Sequence, residues 1–185
     1  MDDVVYEGRD FNEDKLESGE HENCTFKNCI FNKVDLSGLI FSNCAFIGCD
    51  FSNAQIANTG FRETDFKQCK LMGLRFDRCN TLLLSFTFKD CILSFSSFFK
   101  LKIKGTKFIG CKLHEVDFTE TDLADAQFLD CDLERATFDR TILVGADLRS
   151  AINFTIDPDL NRIKKAKFSE HGALSLLTKY GIELG

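Results

Sequence analysis

The chain has 185 residues, a formal net charge of −6, 44% hydrophobic residues, 20 Phe, nine Cys, one Pro and no Trp. That length suits about one domain, and the apolar share is enough to bury a core. The start MDDVVYEGRDF is too acidic for a signal peptide, and no apolar run approaches the roughly 18 residues of a membrane span, so a cytoplasmic chain with no membrane segment is expected.

Residues 1–10, with Val4, Val5 and Tyr6, are expected to form an N-terminal cap over the segment that begins at Phe11. A large apolar residue recurs every five positions, with a weaker start at Phe11 and Leu16. An unbroken run leads from Phe26, Phe31 and Leu36 to Phe76, and a second from Phe88 and Leu93 to Leu148. A period of five fits neither the 3.6 of a helix nor the 2 of a strand, so each unit contains its own turn and the chain coils. Two residues before each large apolar position sits a small side chain or a thiol, such as Cys24, Cys29, Val34, Ala54, Thr59 and Ser96. Positions two apart on an extended chain face the same way, so both line one interior. Asp or Asn often lies between them, as in CDF, VDL and TDF, and faces out.

This is the pattern A(D/N)LXX, and the chain resembles the pentapeptide-repeat family over 11–151. The resemblance implies an all-β solenoid, a right-handed quadrilateral β-helix with one unit per face and four per coil, followed by a short C-terminal α-helix. It therefore implies columns of residues 20 apart. Phe26, Phe46 and Phe66 obey this, as do Phe98, Phe118 and Phe138, but the two runs are two residues out of step. A two-residue slip within 77–92, read as a corner bulge, rejoins them. Cys29, Cys49, Cys69, Cys91, Cys111 and Cys131 then form one ladder on one face.

That ladder bears on NCTFKNCIF, where Cys24 and Cys29 stand at a spacing that zinc sites also use. All nine cysteines fall on the small inward position, so they are expected to pack as small buried groups. Stacked thiols about 4.8 Å apart with parallel side chains suit disulfides poorly. No metal site and no cofactor are expected. There is no Ser-His-Asp set or phosphate loop, and His21, His114 and His171 are scattered, so no enzymatic chemistry is expected.

The rhythm stops after Ala151, and 152–185 is expected to form a C-terminal cap and dimerisation helix. SEHGALSLLTKYGIELG reads as a helix with Ser169 as N-cap, Gly181 as stop and an apolar face of Ala173, Leu174, Leu177 and Tyr180. That face either caps its own coil or joins two chains through Leu174, Leu177, Tyr180 and Ile182. Such tails are similar to those of Qnr-type quinolone-resistance and microcin-immunity members of the family, and this resemblance implies an end-to-end homodimer.

Charge is banded: residues 1–57 carry −7, 58–112 carry +7, 113–149 carry −7 and the remainder +1. Residues 113–149 span about 9 Å of rod at the sheet spacing, or about one net charge per 1.3 Å, against about 1.7 Å in duplex DNA. In the 20-residue columns Lys112 lies below Asp132, Glu115 below Arg135, Glu120 below Arg140 and His114 below Glu134. Asp117, Asp122, Asp125, Asp130, Asp139 and Asp147 lie outside these four pairs and are the candidate partner-binding residues. Asp117, Asp122 and Asp147 also fit as ordinary turn residues of the repeat.

Two functions compete. The resemblance implies a non-enzymatic DNA mimic that binds a type II topoisomerase, DNA gyrase or topoisomerase IV, inhibiting it or protecting it from quinolone or peptide poisons. The alternative is a generic interaction scaffold with another partner. Protective Qnr-type members carry loop insertions, whereas this chain has only a slip, so inhibition is the safer expectation. Direct nucleic-acid binding through Lys100, Lys102, Lys104, Lys107 and Lys112 is disfavoured by the acidic bands on both sides.

Overall fold

A computed structural model describes residues 4–182, so residues 1–3 of the expected N-terminal cap and 183–185 of the tail lie outside the described residues. In chain order the strands are β1 (Val4–Glu7), β2 (Glu20–Glu22), β3 (Cys24–Lys27), β4 (Ile40–Ser42), β5 (Ala45–Ile47) and β6 (Gly60–Arg62). There follow β7 (Thr64–Lys67), β8 (Phe86–Lys89), β9 (Lys107–Ile109), β10 (Gln127–Leu129), β11 (Asp147–Leu148), β12 (Lys167–Phe168) and the helix α1 (Glu170–Ser175). They build a parallel β-solenoid of about eight turns.

On the first face nine strands stack in the order β1-β3-β5-β7-β8-β9-β10-β11-β12, and on the fourth β2-β4-β6 form a second sheet. The pairing is parallel at an offset of 20, as in Phe26↔Phe46 and Phe108↔Phe128. Isolated bridges such as Ile30↔Asp50 and Asp117↔Thr137 extend the same register over the other two faces. The coil exceeds the expected bounds at both ends. Val4 already pairs with Cys24 inside the expected N-terminal cap, and Asp147↔Lys167 carries the register past Ala151.

Because each side chain meets its counterpart one strand spacing away, about 4.8 Å, flat rings can pile face to face. Tyr6, Phe26 and Phe46 stack with centroids 4.8 and 4.7 Å apart, and Phe76 and Phe98 repeat this on the third face at 4.7 Å. Between faces the rings meet edge to face, as Phe26 and Phe31 do at 5.7 Å and 70°. Both arrangements suit the ring quadrupole, each pair contributing about 0.5–1.5 kcal/mol beyond its burial.

The slip falls between Asn80 and Phe86, since Gly60 pairs with Asn80 at an offset of 20 but Thr64 with Phe86 at 22. Leu82 and Leu83 bulge into solvent there, and the sheet of the fourth face ends. Phe86 then stands in the column that holds Thr64 below and Thr106 above. Its ring lies 5.5 Å from that of Phe76 and 4.9 Å from that of Phe88. A large residue in a small position makes up for the large one the bulge turned outward.

All nine cysteines are buried and unbridged. The small inward position also does polar work that composition does not announce. Cys49, Cys69 and Cys131 donate from Sγ to the carbonyls of Phe26, Phe46 and Phe108 in the coil below, each at 3.3 Å. Thr121 and Thr141 do the same to Phe98 and Phe118 at 2.8 Å. Burial pushes the Cys44 thiol up to about 12 and raises Cys79 as well.

The residue two after each large apolar one turns the corner with positive φ, as at Asn28, Asn53, Asp90, Asp125 and Asp130. Gly48, Gly110 and Gly145 occupy the same corner one coil above Asn28, Asp90 and Asp125. A Cβ on Gly110 would lie 2.5 Å from Asp90 Oδ1, and one on Gly145 2.3 Å from Asp125 Oδ1. An Asx side chain leans over the next corner and leaves room only for glycine.

Gly110→Ala is expected to cost the roughly 1–2 kcal/mol of a left-handed L-residue and the displacement of Asp90 as well. Gly105→Ala, with positive φ but open space around it, should cost only the first; denaturant midpoints compare the two. Thr121→Val should lose about 1 kcal/mol for one hydrogen bond. For thiols whose pKa is raised on folding, the stabilisation is complete below the unfolded value and lost as pH rises toward the folded one. Stability should therefore fall above about pH 9, where free thiols ionise, as pH-dependent melting would show.

Candidate interaction surface

The face of every coil presents two outward residues, and an Asp in the first is used by the turn. Asp117 Oδ1 accepts from Thr119 N at 2.9 Å, and Asp122 and Asp147 accept from Ala124 N and Arg149 N at 3.2 Å. Asp35 and Asp50 form the same turn with Ser37 and Ser52. A two-residue Asx turn is a local backbone device, so for Asp117, Asp122 and Asp147 the turn role is present.

Three of the six candidate aspartates also have basic partners, at offsets other than 20. Asp122 meets Lys104 at 3.3 Å, Asp139 meets Arg140 at 3.2 Å and Asp147 meets Arg149 at 2.7 Å. Glu115–Arg135 and Glu120–Arg140 form as the columns predict, at 3.6 and 3.2 Å. Asp132 pairs with His114 at 2.9 Å, where the column pointed to Lys112. Hydrogen bonds from the Arg149 guanidinium hold the Asp147 carboxyl below the usual range.

Among the described residues, the acids of this band without a basic partner within 4 Å are Asp117, Asp125, Asp130 and Glu134. The six candidates do not share one face: Asp117 and Asp139 lie on the third, Asp122 on the fourth and Asp147 on the first. Asp125 and Asp130 are exposed at the two corners that flank β10, and the amide of Asp130 is held by Ser150 Oγ at 2.9 Å. The band is thus a collar around the rod, with this pair as its free carboxylates beside one strand.

At the C-terminal end Ser169 caps α1 as expected, accepting from Gly172 N at 3.1 Å, but the α-helix stops at Ser175 and Gly181, with φ 63°, closes a separate 3-10 turn over Thr178–Tyr180. The helix turns its other side to the coil. Gly172 is buried against Phe154, where a Cβ would lie 2.8 Å from Cζ, and Leu176 packs on the core. Leu174, Leu177, Tyr180 and Ile182 are exposed. Lys179 Nζ clamps the tail to Asp157 and, at 2.5 Å, to Asp159, which also accepts from the Tyr180 hydroxyl at 3.1 Å. These contacts hold both carboxyls below their usual range and raise Lys179.

One constellation escapes the repeat pattern. His114, Asp132 and Glu134 bring their ligating atoms within 4.8 Å of one another on the second face, where no metal-ligating group was expected. The column that sets His114 below Glu134 carried the signal; Asp132, the third member, enters by the alternation of outward positions.

A filled rod of stacked square coils with a charged exterior, and with five residues per turn-bearing unit, defines the class: a parallel β-solenoid of pentapeptide units. The family model described as "Pentapeptide repeat region" matches residues 75–148, and that of the "SV2A/B/C luminal domain" matches 1–81. Residues 75–148, where the repeat register above is unbroken after the slip, are thus similar to the pentapeptide-repeat family. Two solved structures of trypsin-treated variants of QnrB1, a plasmid-mediated fluoroquinolone resistance protein, share its fold at 22% identity. Each covers 98% of both chains, with TM-scores of 0.52 and 0.50. No curated protein matches by sequence. Among the described residues no helix is long and apolar enough to cross a membrane.

Lys179→Met should release the tail without melting the rod, seen as faster amide exchange confined to 176–182. Because the clamp's carboxyls have lowered pKa values, its contribution is complete above about pH 3.9 and lost as pH falls through the folded values. Exchange at pH 5 should therefore match that at pH 7 after correction for the intrinsic rate.

Proposed function

We propose that the protein works by occupancy, without catalysis, binding a type II topoisomerase of the gyrase class at the surface that receives DNA. The observation that carries this is the collar at 113–149, a net −7 wrapped around a rod about two coils tall. Its free carboxylates beside β10, Asp125 and Asp130, are the contact we favour, with Asp117, Asp122, Asp139 and Asp147 shaping the field around them. The likeness in fold to a fluoroquinolone resistance protein supports the same direction.

In this reading two chains join through Leu174, Leu177, Tyr180 and Ile182, whose exposure leaves an apolar end for a second copy. The dimer brings the two collars toward its centre and leaves the basic zones at 58–112 outside them. Those zones repel a basic surface, so the contact is central and short. Among the described residues the coil is interrupted only by the bulge at 81–85, and the expected effect is inhibition more than protection.

The test is DNA supercoiling by a bacterial gyrase with the protein titrated in, with and without a quinolone. Inhibition should weaken at least about tenfold in the Asp125→Lys, Asp130→Lys double variant, as expected for reversed contact charges. Unaltered inhibition in that variant would remove the contact, and no effect at micromolar protein would remove the partner. Light scattering should show a dimer that Leu174→Glu with Leu177→Glu converts to a monomer.

A further inference from the structure

On the face of the cysteine ladder an imidazole meets two carboxylates. His114 and Glu134 occupy the same outward position one coil apart, and Asp132 lies two residues before Glu134. The backbone beneath them is fixed by ladder bonds, Leu113 N to Asp132 O at 2.8 Å and Glu115 N to Glu134 O at 2.9 Å. Side chains carried on such a sheet keep their relative positions.

The polar groups of this cluster are not satisfied among themselves. His114 Nε2 is buried and lies 2.9 Å from Asp132 Oδ2, yet no partner reaches it at hydrogen-bonding geometry. A buried ring nitrogen in that condition calls for an ion or a water. Asp132 Oδ1, by contrast, is doubly held, by Asn153 Nδ2 at 2.9 Å and Glu134 N at 3.2 Å. Those donors orient the carboxylate and leave Oδ2 facing the imidazole, the support that outer hydrogen bonds give a ligating carboxylate.

We propose that His114, Asp132 and Glu134 form a surface site for a divalent first-row metal ion such as Zn2+, with water completing its coordination. One imidazole and two carboxylates suit a borderline ion, and three protein ligands leave an open position. Mg2+ and Ca2+, which take oxygen ligands, gain nothing from the imidazole. Glu134 also lines a cleft of about 870 Å³ with Asn153, Ser150 and His171. The nine thiols are buried in the core and do not compete in the folded chain. A dication held here cancels two of the ten acids of the collar, so metal availability would set the charge of that surface whatever partner it meets. The site stands independently of the topoisomerase reading.

The test is calorimetric titration of the chelator-stripped, reduced full chain with ZnCl2 at pH 7.5 and 5.5, with CaCl2 and MgCl2 alongside. One Zn2+ per chain is expected, bound more weakly at pH 5.5, since protons compete with a metal ion for its ligand atoms. His114→Gln and Glu134→Gln should each lose at least about tenfold in affinity, while His21→Ala and His171→Ala keep it. The His114 ring resonances should shift on zinc addition. No binding by the unaltered chain, full affinity in His114→Gln, or Ca2+ bound as tightly as Zn2+ would each overturn the proposal. Should His114→Gln fail to fold by circular dichroism, the exposed Glu134→Gln decides.

Discussion

The distance between parallel strands, about 4.8 Å, is the constraint on which the rest of this molecule depends. A side chain one coil above another must accept it as a neighbour at that separation, and a flat ring accepts its own kind best. Tyr6 over Phe26 and Phe108 over Phe128, with ring planes 7° and 5° apart, are the result, and they explain a chain with 20 Phe and no Trp. The small inward position obeys the same spacing. Cys, Thr and Ser there are short enough to clear the rings and still donate to a carbonyl one coil down, as Ser96 does to Leu71 at 2.7 Å. Where the register slips, Phe86 fills the gap from a position that elsewhere holds Cys, Thr or Ala.

Charge is governed by the same geometry, read diagonally as well as vertically. The basic zone and the acidic collar are stitched together at their boundary by Lys100–Glu120 and Lys104–Asp122. Several acids of the collar are thus engaged either by these ion pairs or by the turn, and a net charge of −7 is a property of the band and not of each carboxylate. Asp125 and Asp130 stand apart because the corner turns them outward with positive φ, beyond the Asx-turn geometry. The cluster of His114, Asp132 and Glu134 arises the same way, from a column crossed by the alternation within one strand.

The two ends of the rod are closed differently. Tyr6 lies on Phe26 at one end and is part of the stack it covers. At the other, Phe154 and Phe168 meet at 5.7 Å and α1 comes down on them through Gly172 and Leu176. That contact is close enough to require glycine, and it leaves the leucines of the opposite side uncovered.

The periodicity by itself determined the fold, the inward placement of Cys29 through Cys131 and a two-residue slip, because a five-residue repeat admits one way of placing large and small residues. It also determined Ser169 as a helix cap, which depends only on local chain direction. The tertiary structure decided which side of α1 faces the coil, since Gly172 fits against Phe154 where Leu174 does not. It decided the partners of the acids as well. Columns fix which backbone positions are stacked, but long side chains reach neighbours at offsets of 18 or 2, as Lys104 reaches Asp122 and Arg149 reaches Asp147. Such reach depends on rotamer and on corner shape, which a one-dimensional period does not contain.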